Sequence, residues 1–354
     1  MNRLFAMSRA LSLILLCAIV MSSCGGPQLP PVVSFYFWKT NYHLDAAEKN
    51  AILQNQTQQI YVRYFDIVYD ENLKQAVPAA PVHFDKADVI TPIVPVVFIK
   101  NRVFEMLDSA AVDTLVEHSV ILLNQINRTV KVKAQELQID CDWTKKTSAM
   151  YFHFLKSLRK KIDAHDEGIT FKSLTMLSAT IRLHQVKYPE REGVPPVDKG
   201  ILMFYNMGKI DASDVNSIYD QKISQAYLPS LAKYPLRLDV ALPVFAWGIH
   251  LRDGAVVELL NKMDSRDFKD TATFTFVREN RYRAKSSFFK NGFYFKEGDE
   301  VKVEEQTEKS LQTMAQDLKH SYPKRLQQII FYDLDSLNIS RYEHEVFKKT
   351  ATYF

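Results

Sequence analysis

Glycine is scarce, with 10 in 354 residues, and none falls in a GxGxxG run after a strand, a P-loop or a GxSxG elbow. Phosphate-cradling loops and the serine-hydrolase turn are therefore excluded as organising features. Cysteine is scarcer still: Cys17, Cys24 and Cys141 are the full set. No CxxC pair, HExxH helix or cluster of histidines with carboxylates appears, so no metal centre is expected, and His43, His153 and His250 read as surface or core residues. Neither sign of charge dominates, because 45 basic and 41 acidic residues are spread along the chain. A net charge of +4 with no basic stripe gives no nucleic-acid surface. Nothing in the pattern calls for an organic cofactor.

The N-terminal apolar run, "LSLILLCAIVM", follows Arg3 and Arg9 and leads through "SSC" to Cys24. It is shorter than the about 20 apolar residues that span a bilayer comfortably, and it has the layout of a secretory signal. Cys24 resembles the cysteine that bacterial lipoproteins acylate and expose as their new N-terminus. That resemblance implies a signal peptide over 1–23, a lipid on Cys24, a tether over 24–31 and a chain held at a membrane of the bacterial cell envelope. Cys141 would then be the only thiol left in the mature chain, which excludes an internal disulfide. The mature chain must be held by its core, and a chain of this length builds one readily.

From residue 32 onward, short apolar or alternating runs recur with helical stretches between them, the rhythm of βα units. Strands are expected at "VVSFYFWKT", "QIYVRYFDIVY", "VITPIVPVVFI", "ELQIDCDW", "LTMLSATIRLH", "GILMFYNMG", "LRLDVALPVFAWGI" and "LQQIIFYDL". Eight such strands predict an α/β fold, a (β/α)8 TIM-like barrel occupying 32–354. Between them, Tyr151, Phe154, Leu155, Leu158 and Ile162 recur at helical spacing opposite Lys156, Arg159, Lys160 and Lys161, which predicts a helix packed on the outside of the barrel. The Pro/Gly-rich 186–200 predicts a loop on the barrel's C-terminal face. Residues 271–305 alternate around "KNG" and "EGD" turns and predict an inserted antiparallel β subdomain late in the chain.

Strand alternation then sorts the polar residues. Leu137, Ile139, Cys141 and Trp143 share one side of the fourth strand; Gln138, Asp140, Asp142 and Thr144 share the other. The apolar side meets the helices, so both aspartates face the barrel interior near its C-terminal end. Charge there is costly unless it is paired, hydrogen-bonded or functional. On the fifth strand Ser178, Thr180, Arg182 and His184 face the same way, and Arg182 is the natural counter-ion. Arg63 and Tyr205 complete a polar network, while Trp38, Trp143, Phe245 and Trp247 lie near strand ends where aromatic faces can stack on sugar rings. The same residues admit a purely architectural reading, as an internal ion-pair network with packed aromatics.

These motifs resemble the chitinase-type glycoside hydrolases of family eighteen. "IDCDW" is similar to that family's alternating fourth-strand aspartates, "LMFYN" to its sixth-strand Met-x-Tyr-Asp with Asn206 in the aspartate position, and "VALPVFAWG" to its seventh-strand motif. Uncharacterised bacterial lipoproteins with such barrels are a nearer resemblance. What the resemblance implies is a carbohydrate ligand. Thr144 stands where the family carries its acid glutamate, and a hydroxyl cannot protonate a leaving glycosidic oxygen at ordinary pH. Hydrolysis would need Asp142 as a replacement acid and a second carboxylate, Asp140 or Asp333, at a usable distance.

Two classes of function follow. One is a tethered barrel that binds, and in one version hydrolyses, a carbohydrate through Asp140, Asp142 and Asp333, with Trp38, Arg63, Trp143, Arg182, His184, Tyr205, Asn206 and Trp247 contacting it. The other is a non-catalytic envelope scaffold whose contacts run through the aromatic hairpin Phe288, Phe289, Phe293, Tyr294 and Phe295. The sequence leaves protein partners and oligomeric state open.

Overall fold

Eight parallel strands close on themselves in the computed structural model, which describes residues 29–84, 89–132, 134–164, 175–343 and 345–354; helices follow every strand except the second, after which the described residues carry short strands. The eight are β1 (Val32–Phe37), β2 (Ile60–Asp70), β3 (Ile93–Ile99), β4 (Glu136–Asp140), β5 (Met176–Arg182), β6 (Lys199–Met203), β7 (Leu238–Pro243) and β8 (Gln328–Tyr332). Each pairs with its neighbours in sequence order, and β1 bonds both β8 and β2, which closes the cylinder. All eight strands fall on the runs expected from the sequence, with β2 ending one residue past its run at Asp70 and β6 starting one residue before its run at Lys199. The expected leader, Cys24 and most of the expected tether lie outside the described residues. Among the described residues, no helix is long and apolar enough to cross a membrane.

The helix Ser148–Asp163 buries Tyr151, Phe154, Leu155, Leu158 and Ile162 as its spacing predicts. These side chains meet Leu137, Ile139, Cys141 and Trp143 in the layer between strands and helices. A second, smaller core fills the cylinder itself, built from Tyr36, Tyr61, Val96, Ile201, Met203 and Ile330 among others. The alternation of β4 therefore runs in the expected sense: apolar outward, polar inward.

Some boundaries differ from the sequence reading. The run "LRLDVALPVFAWGI" is two elements: β7 ends at Pro243, and Trp247–Arg252 joins an antiparallel sheet. Pro243 has no amide hydrogen to carry the parallel ladder on. That sheet, in the order Ala255–Asn261, Trp247–Arg252, Glu300–Glu304, Arg281–Ala284, Phe274–Arg278, takes in 247–261 as well as strands of the expected 271–305 insertion. It has its own core around Leu260, Phe268, Phe274, Phe295 and Val301. His250 is buried in it, 2.8 Å from Asp299. The run "RLH" also breaks: Leu183–Lys187 is helical, its start fixed by the Arg182 amide donating to the Gln185 side chain at 2.7 Å. His184 therefore sits on a helix and not on β5. Finally, β2 extends past the barrel and pairs antiparallel with Gln75–Ala79, an element the sequence reading lacked.

The N-terminal floor of the barrel is a polar plug. Lys199 Nζ lies 3.0 Å from Glu136 Oε2 and 3.1 Å from Asp239 Oδ2, with all three side chains buried. Ser178 donates to Glu136 at 2.6 Å and Tyr61 to Gln328 at 2.7 Å. One cation thus holds two buried carboxylates, and removing it would leave both uncompensated. Lys199→Met is expected to lower unfolding free energy by about 3–5 kcal/mol in urea denaturation. A loss under about 1 kcal/mol would mean that the plug is not electrostatically coupled.

Candidate functional site

The opposite, C-terminal mouth is built by the inward residues that follow the core upward along the strands. On β4 these are Gln138, Asp140 and, just beyond the strand end, Asp142. Tyr36 donates to Gln138 at 2.7 Å in the barrel centre. Above it Thr180, on β5, donates to Asp140 at 2.6 Å. Asp140 is only 8% exposed. Burial, and then the charge of Asp142, pushes its carboxyl up to about 6, against the pull of the Thr180 hydrogen bond and Arg182. Asp142 is more open, and the Arg182 fork occupies both of its oxygens: Nε reaches Oδ1, and Nη2 lies 2.6 Å from Oδ2. This bidentate geometry is the strong form of an ion pair.

Aromatic rings surround these charges. Tyr332, at the end of β8, is their hub, with ring centroids 5.5 Å from Trp38, 5.6 Å from Tyr205 and 5.8 Å from Phe245. Trp38, Phe245, Trp247 and Tyr332 are half-buried, so each presents part of a ring to the mouth. Trp247 is held from the inserted sheet, its indole N–H donating to Glu304 at 2.8 Å. Tyr205 is buried beneath, its hydroxyl pushed well above the usual phenol range by burial. Arg63, on β2, places its guanidinium carbon 5.7 Å from the Trp38 ring centroid.

The structure thus brings together Trp38, Arg63, Asp140, Asp142, Arg182, Tyr205 and Trp247. Other candidates fall elsewhere. Trp143 is fully buried on the outer face, stacked 5.2 Å from Tyr151 and donating to the Glu192 carbonyl at 3.0 Å. It shares the side of Leu137 and Ile139, so alternation turns it toward the helices and away from the mouth. Asn206 is exposed in a left-handed turn, with φ of 55° and its amide donating to Ile218 at 2.8 Å. His184 is half-buried on its helix, and burial lowers its pKa.

Asp333 is also pushed up to about 6, first by burial and then by Asp335. The other groups acting on it are Lys262, Asn338 and Lys39, whereas those acting on Asp140 are Asp142, Thr180, Arg182 and Asp66. The two raised carboxyls have different immediate partners, but both act on Tyr332, the aromatic hub. Thr144 is exposed and opens the turn into the next helix, its amide donating to Thr147 at 2.9 Å. The sequence reading missed Thr180 as the partner of Asp140, Tyr332 as the aromatic hub and Glu304 as the anchor of Trp247. The first two were accessible, since each is an inward residue by alternation beside a candidate already chosen.

A carboxyl whose folded pKa lies near 6, above about 3.9 in the unfolded chain, stabilises the fold fully below about pH 4 and loses that contribution as pH rises through 6. Asp140→Asn removes this titration. Its unfolding free energy relative to the unsubstituted chain is expected to improve by about 2–3 kcal/mol between pH 4 and pH 7. Denaturant melts across that range check it, and a flat difference would contradict the buried placement.

No protein-family model and no curated protein matches this sequence. Solved structures do match it in fold. The spore cortex-lytic enzyme SleL of Bacillus cereus superposes with a TM-score of 0.55 at 10% identity, over 92% of this chain and 75% of that one. A GH18 chitinase from Cycas revoluta, solved in complex with (GlcNAc)3, gives 0.56 at 14% identity over 91% and 98%. A chitinase from Chromobacterium violaceum gives 0.54 at 12% identity over 90% and 98%. At these identities the likeness establishes the fold, a TIM barrel distantly resembling those of the family-eighteen glycoside hydrolases.

Proposed function

We propose that the chain binds a carbohydrate in the C-terminal mouth of its barrel and holds it without cleaving it. The observation that carries this is the mouth's composition: a ring of half-buried aromatics around a carboxylate whose two oxygens are both taken by one arginine. Apolar ring faces with a few convergent polar groups are the usual makeup of a small-ligand site. The fold neighbours support the ligand class, since one is solved with a GlcNAc oligosaccharide and another is a cortex-lytic enzyme.

The same geometry argues against glycosidic cleavage. A general acid must reach the leaving oxygen with a proton to give. The hydroxyl of Thr144 is too weak an acid to give one at ordinary pH, and Asp142 is committed to Arg182 on both oxygens. Asp140 has the pKa of an acid catalyst but lies below Asp142 in the barrel, bonded to Thr180. Within this proposal, the lipid expected on Cys24 would hold the binding barrel at a bacterial membrane, so that it retains glycans near the cell envelope.

A second reading has its own observation. On the hairpin Phe288–Phe295, Phe295 is buried and Phe288 and Phe293 pack beside it, but Phe289 is 75% exposed and Tyr294 44%. Those two rings are what a protein-docking scaffold would use.

Isothermal titration of the purified chain against oligosaccharides of hexose and N-acetylhexosamine separates the readings, with reducing ends assayed in the same samples. Binding without new reducing ends is expected, and Trp38→Ala should weaken it by about 2 kcal/mol, or roughly 30-fold. Product release that Asp140→Asn abolishes would make the chain a hydrolase. Absence of any saccharide binding would favour the scaffold.

A further inference from the structure

Strand β2 contains an irregularity that re-aims two side chains at the mouth. Against β3, Arg63 stands opposite Val96 and Phe65 opposite Val97, so β2 spends an extra residue on one step. The consequence shows in the packing: the consecutive residues Tyr64 and Phe65 both enter the outer core. In a regular strand Arg63 and Asp66, three apart, would face opposite sides. The bulge resets the phase and both face inward, an effect for which bulges near sites are known. Arg63 Nε lies 3.2 Å from Asp66 Oδ1. Asp66 is also among the charges acting on Asp140, and Arg63 among those acting on Tyr332, which places the pair at the same mouth.

The pair is incompletely satisfied. Arg63 Nε and Asp66 Oδ1 face each other as an ion pair but in a geometry that closes no hydrogen bond, and both atoms are shielded from water. Arg182, by contrast, is engaged by Asp142 through two nitrogens. Arg63 thus offers donors and Asp66 acceptors side by side, with the guanidinium over the Trp38 ring. Each side chain keeps 15% of its surface exposed beyond those atoms, so the rest of the guanidinium and carboxylate can meet a ligand, and an imperfectly bonded pair gains from the added hydrogen bonds.

We infer that Arg63 and Asp66 form a subsite that grips adjacent hydroxyls of a neutral sugar ring lying against Trp38, and so set the class of ligand. This rests on the carbohydrate reading of the mouth. A hydroxyl accepts one hydrogen bond while donating another, so two neighbouring hydroxyls satisfy a guanidinium and a carboxylate together, as a lone anion or cation cannot. Charge balance points the same way. Charges of both signs act here: Arg63 and Lys100 on Asp66, and Asp142, Asp66 and Arg182 on Asp140. A sugar acid would meet the Asp66 carboxylate, and an amino sugar the Arg63 guanidinium.

The full-length protein is titrated with N-acetylchitotriose, cellotriose and trigalacturonate, using Asp66→Asn and the double variant Arg63→Met with Asp66→Leu. The double change removes both charges together, so no lone buried ion is left to unfold the barrel, and thermal melting confirms that it folds. The expected result is that a neutral trisaccharide binds more tightly than trigalacturonate, and that both variants lose roughly tenfold or more in affinity for it. A folded double variant that binds neutral trisaccharides like the unsubstituted chain would remove this subsite while leaving the mouth as the binding site. Preference for trigalacturonate would overturn the ligand class, and failure of all three to bind would remove the subsite together with the reading beneath it.

Discussion

Every inward polar group of a closed eight-stranded barrel must find its partner inside the cylinder or reach water at one of the two ends. Strand β4 shows how this chain meets that constraint, because Glu136, Gln138, Asp140 and Asp142 climb its inner face from floor to mouth. At the floor Glu136 is neutralised by Lys199. In the middle Gln138 accepts from Tyr36. Near the top Asp140 leans on Thr180, and at the rim Asp142 closes on Arg182. Partners grow fewer and more exposed toward the top, and the aromatic rings gather at that end. The asymmetry separates a charge-paired floor from an aromatic-lined mouth, as barrels of this kind separate stability from function.

Two features of the mouth bear on the proposed binding role: Thr144 stands where the resemblance in sequence implies an acid, and an arginine fork closes on Asp142; the two are consistent with each other. A carboxylate that must shuttle protons cannot also serve as the fixed acceptor of a guanidinium on both oxygens. A carboxylate that only positions a neighbour can. Asp140, pushed up to about 6 by burial and by Asp142, then has an electrostatic origin that needs no catalytic role. Perturbed carboxyls mark functional sites often, but structural networks perturb them too.

Much of this was legible in the sequence. The eight strands and the outer face of the helix Ser148–Asp163 followed from periods of two and 3.6, which are properties of the backbone and survive distant divergence. So did the inward direction of Asp140, Asp142 and Arg182, and the place of Arg182 as their counter-ion, though not that it closes on Asp142. Where the reading stopped short, a backbone event intervened that leaves little trace in composition. Pro243 ends β7 inside what looks like one apolar run, the helix at Leu183 carries His184 off the strand, and the bulge after Arg63 turns Asp66 inward with no glycine to announce it. Trp143 is a different case: alternation already placed it on the apolar side, and its value as a sugar platform was read from residue type against that geometry.

The most direct measurement is a crystal structure of the chain soaked with N-acetylchitotriose. The account predicts an intact trisaccharide seated against Trp38, with the Asp142–Arg182 fork still closed. A sugar bound away from the mouth, or a cleaved product beside an Asp142 swung free of Arg182, would contradict it.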